Sequence, residues 1–254
     1  MKKYITVSLL LFLVGCSNQN EEAIEIIEQS IKNNHVLQNG TFEVAQTYVT
    51  DEGTVEEETF GSFINQGEDN SSWHTITRVD SWADGEQAEY LQNDGSRYQK
   101  APGVTEWEEA HEELTNFPDI IEPLVDDELE NVKSIKTEEL DGRTQYIVTL
   151  NDKAGKQIIE ENIEAMEDNI EYMRDELENP DEVISIMEKE IEDMKAMDYT
   201  KIIFTYVVDQ EGHVVEIHNE YTVSSPTKST LDANVSLYLT DYNLSSTAEL
   251  VPEL

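Results

Sequence analysis

The feature that most restricts this chain is a period-two alternation of apolar side chains, in short runs punctuated by glycine-containing turns. Phe42, Val44 and Tyr48 fall on one side of the first run, and Phe60 and Ile64 mark the second. Trp73, Thr75, Thr77 and Val79 share a side of the third. Asp51-Glu52-Gly53, Asp84-Gly85 and Asn93-Asp94-Gly95 turn the chain between runs, the last two leading to the segments around Tyr90 and Tyr98. Successive side chains of a strand point to opposite faces, so such runs have one buried face, and turns this short join antiparallel neighbours. The pattern returns at residues 134–137 and 145–150. It recurs in Ile202, Phe204, Tyr206 and Val208, in Val215, Ile217, Asn219 and Tyr221, and in Val235, Leu237 and Leu239. Repeated β/α units are lacking, which argues against the architecture of periplasmic solute-binding proteins.

Helical periodicity interrupts this pattern. Ile24, Ile27 and Ile31 lie on one face of a helix over residues 21–34. Residues 107–117 predict a short helix carrying Trp107, Leu114 and Phe117, and a further helical stretch covers residues 120–129. Residues 156–198 form a helical insertion. Its Ile159, Ile163, Met166, Ile170, Met173 and Leu177 alternate spacings of four and three, and Ile184, Met187, Ile191 and Met194 resume the seam. Asn179-Pro180-Asp181-Glu182 breaks and restarts the helix, so two helices are expected. Their methionines suit either a packed seam or an adaptable surface for acyl chains. The expected fold class is α+β: an antiparallel sheet of residues 41–99, 134–150 and 201–242, with the helices of 156–198 packed on it through the Ile/Met seam.

The start of the chain belongs to another process. Lys2 and Lys3 precede an apolar run from Tyr4 to Val14, which as a helix would span about 16 Å, roughly half a bilayer core. Such a segment is a secretory signal. It ends in Leu13-Val14-Gly15-Cys16, which resembles the lipobox of bacterial lipoproteins. The resemblance implies cleavage after Gly15 and a thioether-linked diacylglycerol on Cys16, the sole cysteine. Residues 1–15 are thus expected to be removed, residues 16–20 to form a lipidated tether, and residues 21–254 to make one domain. The implied location is extracytoplasmic, anchored to the cell membrane.

Charge and motif content narrow the chemistry. With 16 basic and 56 acidic residues the net charge is -40, and loss of Lys2 and Lys3 takes it to -42. A surface so poor in lysine and arginine cannot neutralise phosphates, so nucleic acid is excluded as a partner. One cysteine permits neither an internal disulfide nor a cysteine zinc cluster. His35, His74, His111, His213 and His218 show no HExxH or His-x-His spacing and are expected as ordinary surface or half-buried histidines. Carboxylates are too abundant for any pair to be diagnostic, and Asp126-Asp127-Glu128 and Asp175-Glu176 lack the loop spacing of a calcium site. Gly61 is expected to mark a bulge. No serine elbow or nucleotide-binding glycine motif is found. The chain is therefore expected to be non-enzymatic, with no cofactor and no metal, and to act as a monomer.

An N-terminal helix, antiparallel strands, a helical crossover and further strands together resemble the LolA/LppX-like half-barrel lipoprotein superfamily. The residues carrying the resemblance are Thr41-Phe42-Glu43-Val44 after the first helix, Tyr90 to Gly95 leading to Tyr98, Trp107 opening the crossover, and the Asp209 to Gly212 turn. The long insertion and the acidity depart from that pattern. The resemblance implies an incomplete barrel around apolar helices, with a cavity for a lipid or other hydrophobic ligand. Phe42, Val44, Trp73, Tyr90, Phe204 and Tyr206 are the expected walls, each on an apolar face, and Met166 and Met173 the expected lid. The alternative is a cell-envelope interaction or structural lipoprotein without a ligand.

Overall fold

The computed structural model describes residues 15–65, 71–83, 85–93, 96–110, 131–176, 181–226, 230–246 and 251. The strands are β1 (Asn39–Thr50), β2 (Gly53–Asn65), β3 (Ser71–Val79), β4 (Ala88–Asn93), β5 (Ser96–Lys100), β6 (Glu108–Glu109), β7 (Val132–Leu140), β8 (Arg143–Leu150), β9 (Asp198–Val208), β10 (Val214–Ser224) and β11 (Leu231–Tyr242). The helices are α1 (Gly15–His35), α2 (Asp152–Glu176) and α3 (Asp181–Met194). All eleven strands join one curved, unclosed antiparallel sheet, in the order β6-β5-β4-β3-β2-β1-β11-β10-β9-β8-β7. This is the antiparallel α+β arrangement expected from the alternation, in the half-barrel form that the resemblance implies. Among the described residues no helix is long and apolar enough to cross a membrane.

Register explains one glycine. Gly61 stands opposite Phe42 in unbroken β1–β2 pairing, not at the expected bulge. A Cβ there would lie 2.1 Å from the Phe42 ring, so the absent side chain is the space that the ring occupies.

Helix α1 fills the inner face of the sheet. Ala23, Ile27 and Ile31, spaced four apart, are buried in one cluster with Phe42, Tyr146, Val148, Phe204, Tyr206, Ile217 and Leu237. The helix starts at Gly15, so residues 16–20, the expected tether, lie within its first turns. Its C-terminal turn is fastened to the β9–β10 turn. The buried Asn34 donates through Nδ2 to the Val214 carbonyl at 2.7 Å and accepts from the Val214 amide at 2.9 Å, as a neighbouring strand would. Asn33 Nδ2 donates to the Gly212 carbonyl at 2.8 Å.

The insertion corrects an expectation. Only the start of α2 reaches the sheet: Ala154 and Ile158 join the main cluster, and a Cβ on Gly155 would come within 2.6 Å of Tyr199 Cβ. The Ile/Met seam does not pack on the sheet. Ile170, Ile184 and Ile191 are buried in a second cluster, flanked by Ile163, Met166, Met173, Met187 and Met194, and Arg174 pairs with Glu188 at 3.0 Å. Two amphipathic helices turned back on each other satisfy both stripes without a third surface.

Trp107 also departs from its expected helix. Glu108 and Glu109 pair with Gln99 and Tyr98 of β5. The Trp107 ring lies 4.2 Å beneath Lys100 Nζ and 6.4 Å from the His74 ring, so cation–π attraction holds it beside a strand. The remainder of that predicted helix, the stretch at 120–129 and the Asn179-Pro180 break lie outside the described residues.

Candidate functional site

The six candidate wall residues on the sheet share its inner face. Phe42 stands between Leu239 and Gly61, Gly61 faces Thr75, and Thr75 faces Tyr90. Val44 faces Leu237, Leu237 faces Ile217, Ile217 faces Tyr206, and Tyr206 faces Tyr146. Trp73 faces Phe63, and Phe204 faces Val148. Alternation was therefore sufficient to select a face. It was not sufficient to select an open one: Phe42, Val44, Trp73, Phe204 and Tyr206 are buried core, and Tyr90 packs against them half-buried. Met166 and Met173 lie in the separate helix–helix cluster, away from these walls. That placement corrects their assignment as a lid.

The open space lies at the sheet edge. A groove of about 550 Å³ runs between the first half of α1 and strands β7 and β8, lined by Glu22, Ala23, Ile26, Ile135, Lys136, Thr137 and Tyr146. The Asn20 side chain accepts from the Ile135 amide at 3.3 Å and fixes the helix against β7. Ile26 is 38% exposed although neighbouring Ile27 is fully buried, so the groove wall is an apolar surface left open beside a closed core. Burial, and then Glu139 and Glu22, raise the Tyr146 phenol above its ordinary pKa, so it stays a neutral hydrogen-bonding group. Lys136 and Glu22 give the mouth both signs of charge. A second cleft of about 640 Å³, between α2 and α3, is lined mainly by acids with Arg174 and Lys195. Its polarity suits water better than an alkyl chain. The periodicity of α1 offered one signal for the groove, since Ile26 is out of phase with Ile24, Ile27 and Ile31.

The inner face turns polar towards the β1–β2 turn. Tyr48 donates to Gln46 Oε1 at 2.6 Å, Gln46 donates to Glu57 Oε1 at 3.2 Å, and the Thr59 and Thr77 hydroxyls meet at 2.8 Å. Nearby, burial first, and then Tyr48 and Tyr199, push the Tyr221 phenol up to about 12. A folded-state pKa above the unfolded value of about 10 favours folding below pH ~10, and that stabilisation is lost as pH rises through about 12. Tyr221→Phe is accordingly expected to move alkaline unfolding to higher pH, read by circular dichroism beside tyrosinate absorbance. An unmoved midpoint, with all tyrosines ionising together near pH 10, would contradict this.

No protein-family model and no curated protein matches the sequence. Among solved structures the chain is similar to LprF from Mycobacterium bovis, at 14% identity over 92% of this chain and 97% of that one, with a TM-score of 0.42. It is also similar to a DUF1329 family protein from Desulfovibrio piger, at 11% identity over 91% and 96%, TM-score 0.32. A LolA superfamily protein from Nitrosomonas europaea gives 10% identity over 85% and 93%, TM-score 0.26. The functional reading therefore stands on this chain's own residues.

Proposed function

We propose that this chain is a membrane-anchored, extracytoplasmic lipoprotein that takes a lipid or similar hydrophobic ligand into the groove between α1 and β7. The observation that carries the reading is the position of that groove. Glu22, at its rim, is six residues from Cys16 along one helix, about 9 Å at 1.5 Å per residue. A diacylated Cys16 would hold the mouth at the bilayer surface, where a chain can pass from lipid to protein without crossing open water. The volume falls in the usual range of small-molecule sites, and burying about eight methylenes contributes roughly 6 kcal/mol before ordering costs, which permits micromolar affinity.

The test is titration of a fluorescent fatty-acid probe into the folded full-length chain, freed of copurified lipid. Saturable micromolar binding is expected, weakened tenfold or more by Ile26→Asp and unchanged by Met166→Asp. Absence of saturable binding, or binding indifferent to Ile26→Asp, would replace this reading with a second one, a ligand-free envelope interaction protein. That alternative draws its support from the closed packing of Phe42, Trp73, Phe204 and Tyr206.

A further inference from the structure

The β9–β10 turn gathers a set of groups that neither strand pairing nor the groove uses. Asp209 Oδ1 accepts from the amides of Glu211 and His213, both at 2.9 Å, and is saturated by them. Its Oδ2 accepts from the Tyr242 hydroxyl, which also lies 3.1 Å from Glu211 Oε2. A phenol has one proton, so two carboxylate oxygens compete for a single donor. The His213 ring lies tilted at 50° with its centre 5.0 Å from that of the Tyr242 ring, and its Nδ1, 3.8 Å from Asp209 Oδ1, is shut off from solvent without a hydrogen-bond partner. One ligand atom from each of Asp209, Glu211 and His213 lies within 4.8 Å of the others. A buried imidazole nitrogen without a partner and two carboxylates that share one phenol proton thus converge on one point.

We propose that Asp209, Glu211 and His213 bind a zinc-type divalent cation, with the Tyr242 oxygen beside the fourth position. One imidazole nitrogen with two carboxylates is a donor set that suits zinc, whereas calcium and magnesium prefer oxygen alone. Bonds of 2.0–2.2 Å put tetrahedral ligands roughly 3.4 Å apart, so the cluster needs a contraction, which the exposed Glu211 side chain can supply by giving up its contact with the Tyr242 hydroxyl. The cation would brace the turn from within, beside the Tyr242 contact with β11 and the point where Asn33 and Asn34 fasten α1. The residues predict a structural site, with Glu211 giving access from solvent.

The test is calorimetric titration of Zn²⁺ into the chelator-treated full-length chain in detergent, with NaCl at about 0.5 M to screen diffuse binding by surface acids. One site per chain with low-micromolar Kd is expected. His213→Ala and Glu211→Gln should each weaken it at least tenfold, while His218→Ala should not. Glu211 is exposed, so its variant should keep the wild-type circular dichroism spectrum even where His213→Ala does not. Absence of a discrete site, equal affinity in Glu211→Gln, or displacement by equimolar Mg²⁺ would overturn the assignment.

Discussion

Ile27→Asp is expected to abolish cooperative unfolding at 25 °C, leaving a chain without a packed core. Ile27 has no exposed surface and stands at the centre of the inner-face cluster, between Ala23 and Ile31 on α1. Truncating a buried isoleucine costs about 2–5 kcal/mol, and an unpaired carboxylate in the same space costs several more. Domains of this size have about 5–15 kcal/mol in total, so one substitution consumes most or all of it. Ile26→Asp makes the comparison exact in chemistry and opposite in burial: its side chain already faces the groove, and its melting temperature should stay within a few degrees of wild type. A cooperative melt in Ile27→Asp would mean that α1 is not integral to the core.

Most of the sheet was legible because alternation and turn chemistry coincided along its longer strands, although not at β6. Phe42, Trp73 and Phe204 could each be placed on the apolar face of its own strand before the strand order was known, and the register then puts those faces on one side. What occupies that face was not legible. The spacing of Ile24, Ile27 and Ile31 gives a stripe but not its partner, and α1 is the element that fills the concave side. The same limit misdirected the stripe on residues 156–198: Met166 and Met173 satisfy a helix–helix seam, and periodicity is identical whether the partner is a sheet or another helix. Trp107 was read as helical from its spacing to Leu114 and Phe117, whereas strand pairing at Glu108 and Glu109 and the contact with Lys100 decide its local structure. The cluster at the β9–β10 turn was missed because its members were weighed as isolated histidines and acids. The Asp209-x-Glu211-x-His213 spacing across a glycine turn was the available signal, but Tyr242 arrives from 33 residues away only through the pairing of β11.

Cys16→Ser is expected to move the protein from the membrane fraction to the aqueous phase almost completely. The proposed anchor consists of two acyl chains on one sulfur. A single chain binds membranes only marginally, so stable retention needs both, and serine carries neither. The sequence has no second cysteine to compensate. Fractionation of cells expressing wild type and variant, with mass measurement of the N-terminal fragment, checks this directly. Unchanged retention with residues 1–15 still attached would identify an uncleaved anchor and remove the lipobox reading.

The seam between β1 and β11 has a consequence for how this chain reaches its native state. Gly40 pairs with Tyr242 and Thr41 with Asp241, so the middle of the sheet is made from opposite ends of the polypeptide, and Asn34 reaches Val214 across 180 residues. Contacts so distant in sequence form slowly, because the loop between them must be closed before they return any stability. Strands β1 to β6 and β7 to β10 can assemble as separate sheets while the chain is being made, but their inner edges, β1 and β10, stay unpaired until β11 is made. The molecule therefore stays unlocked, and its N-terminal helix unclamped, through most of its synthesis. Strand β11, made after both, joins the two halves, and until then each exposes an edge open to wrong partners.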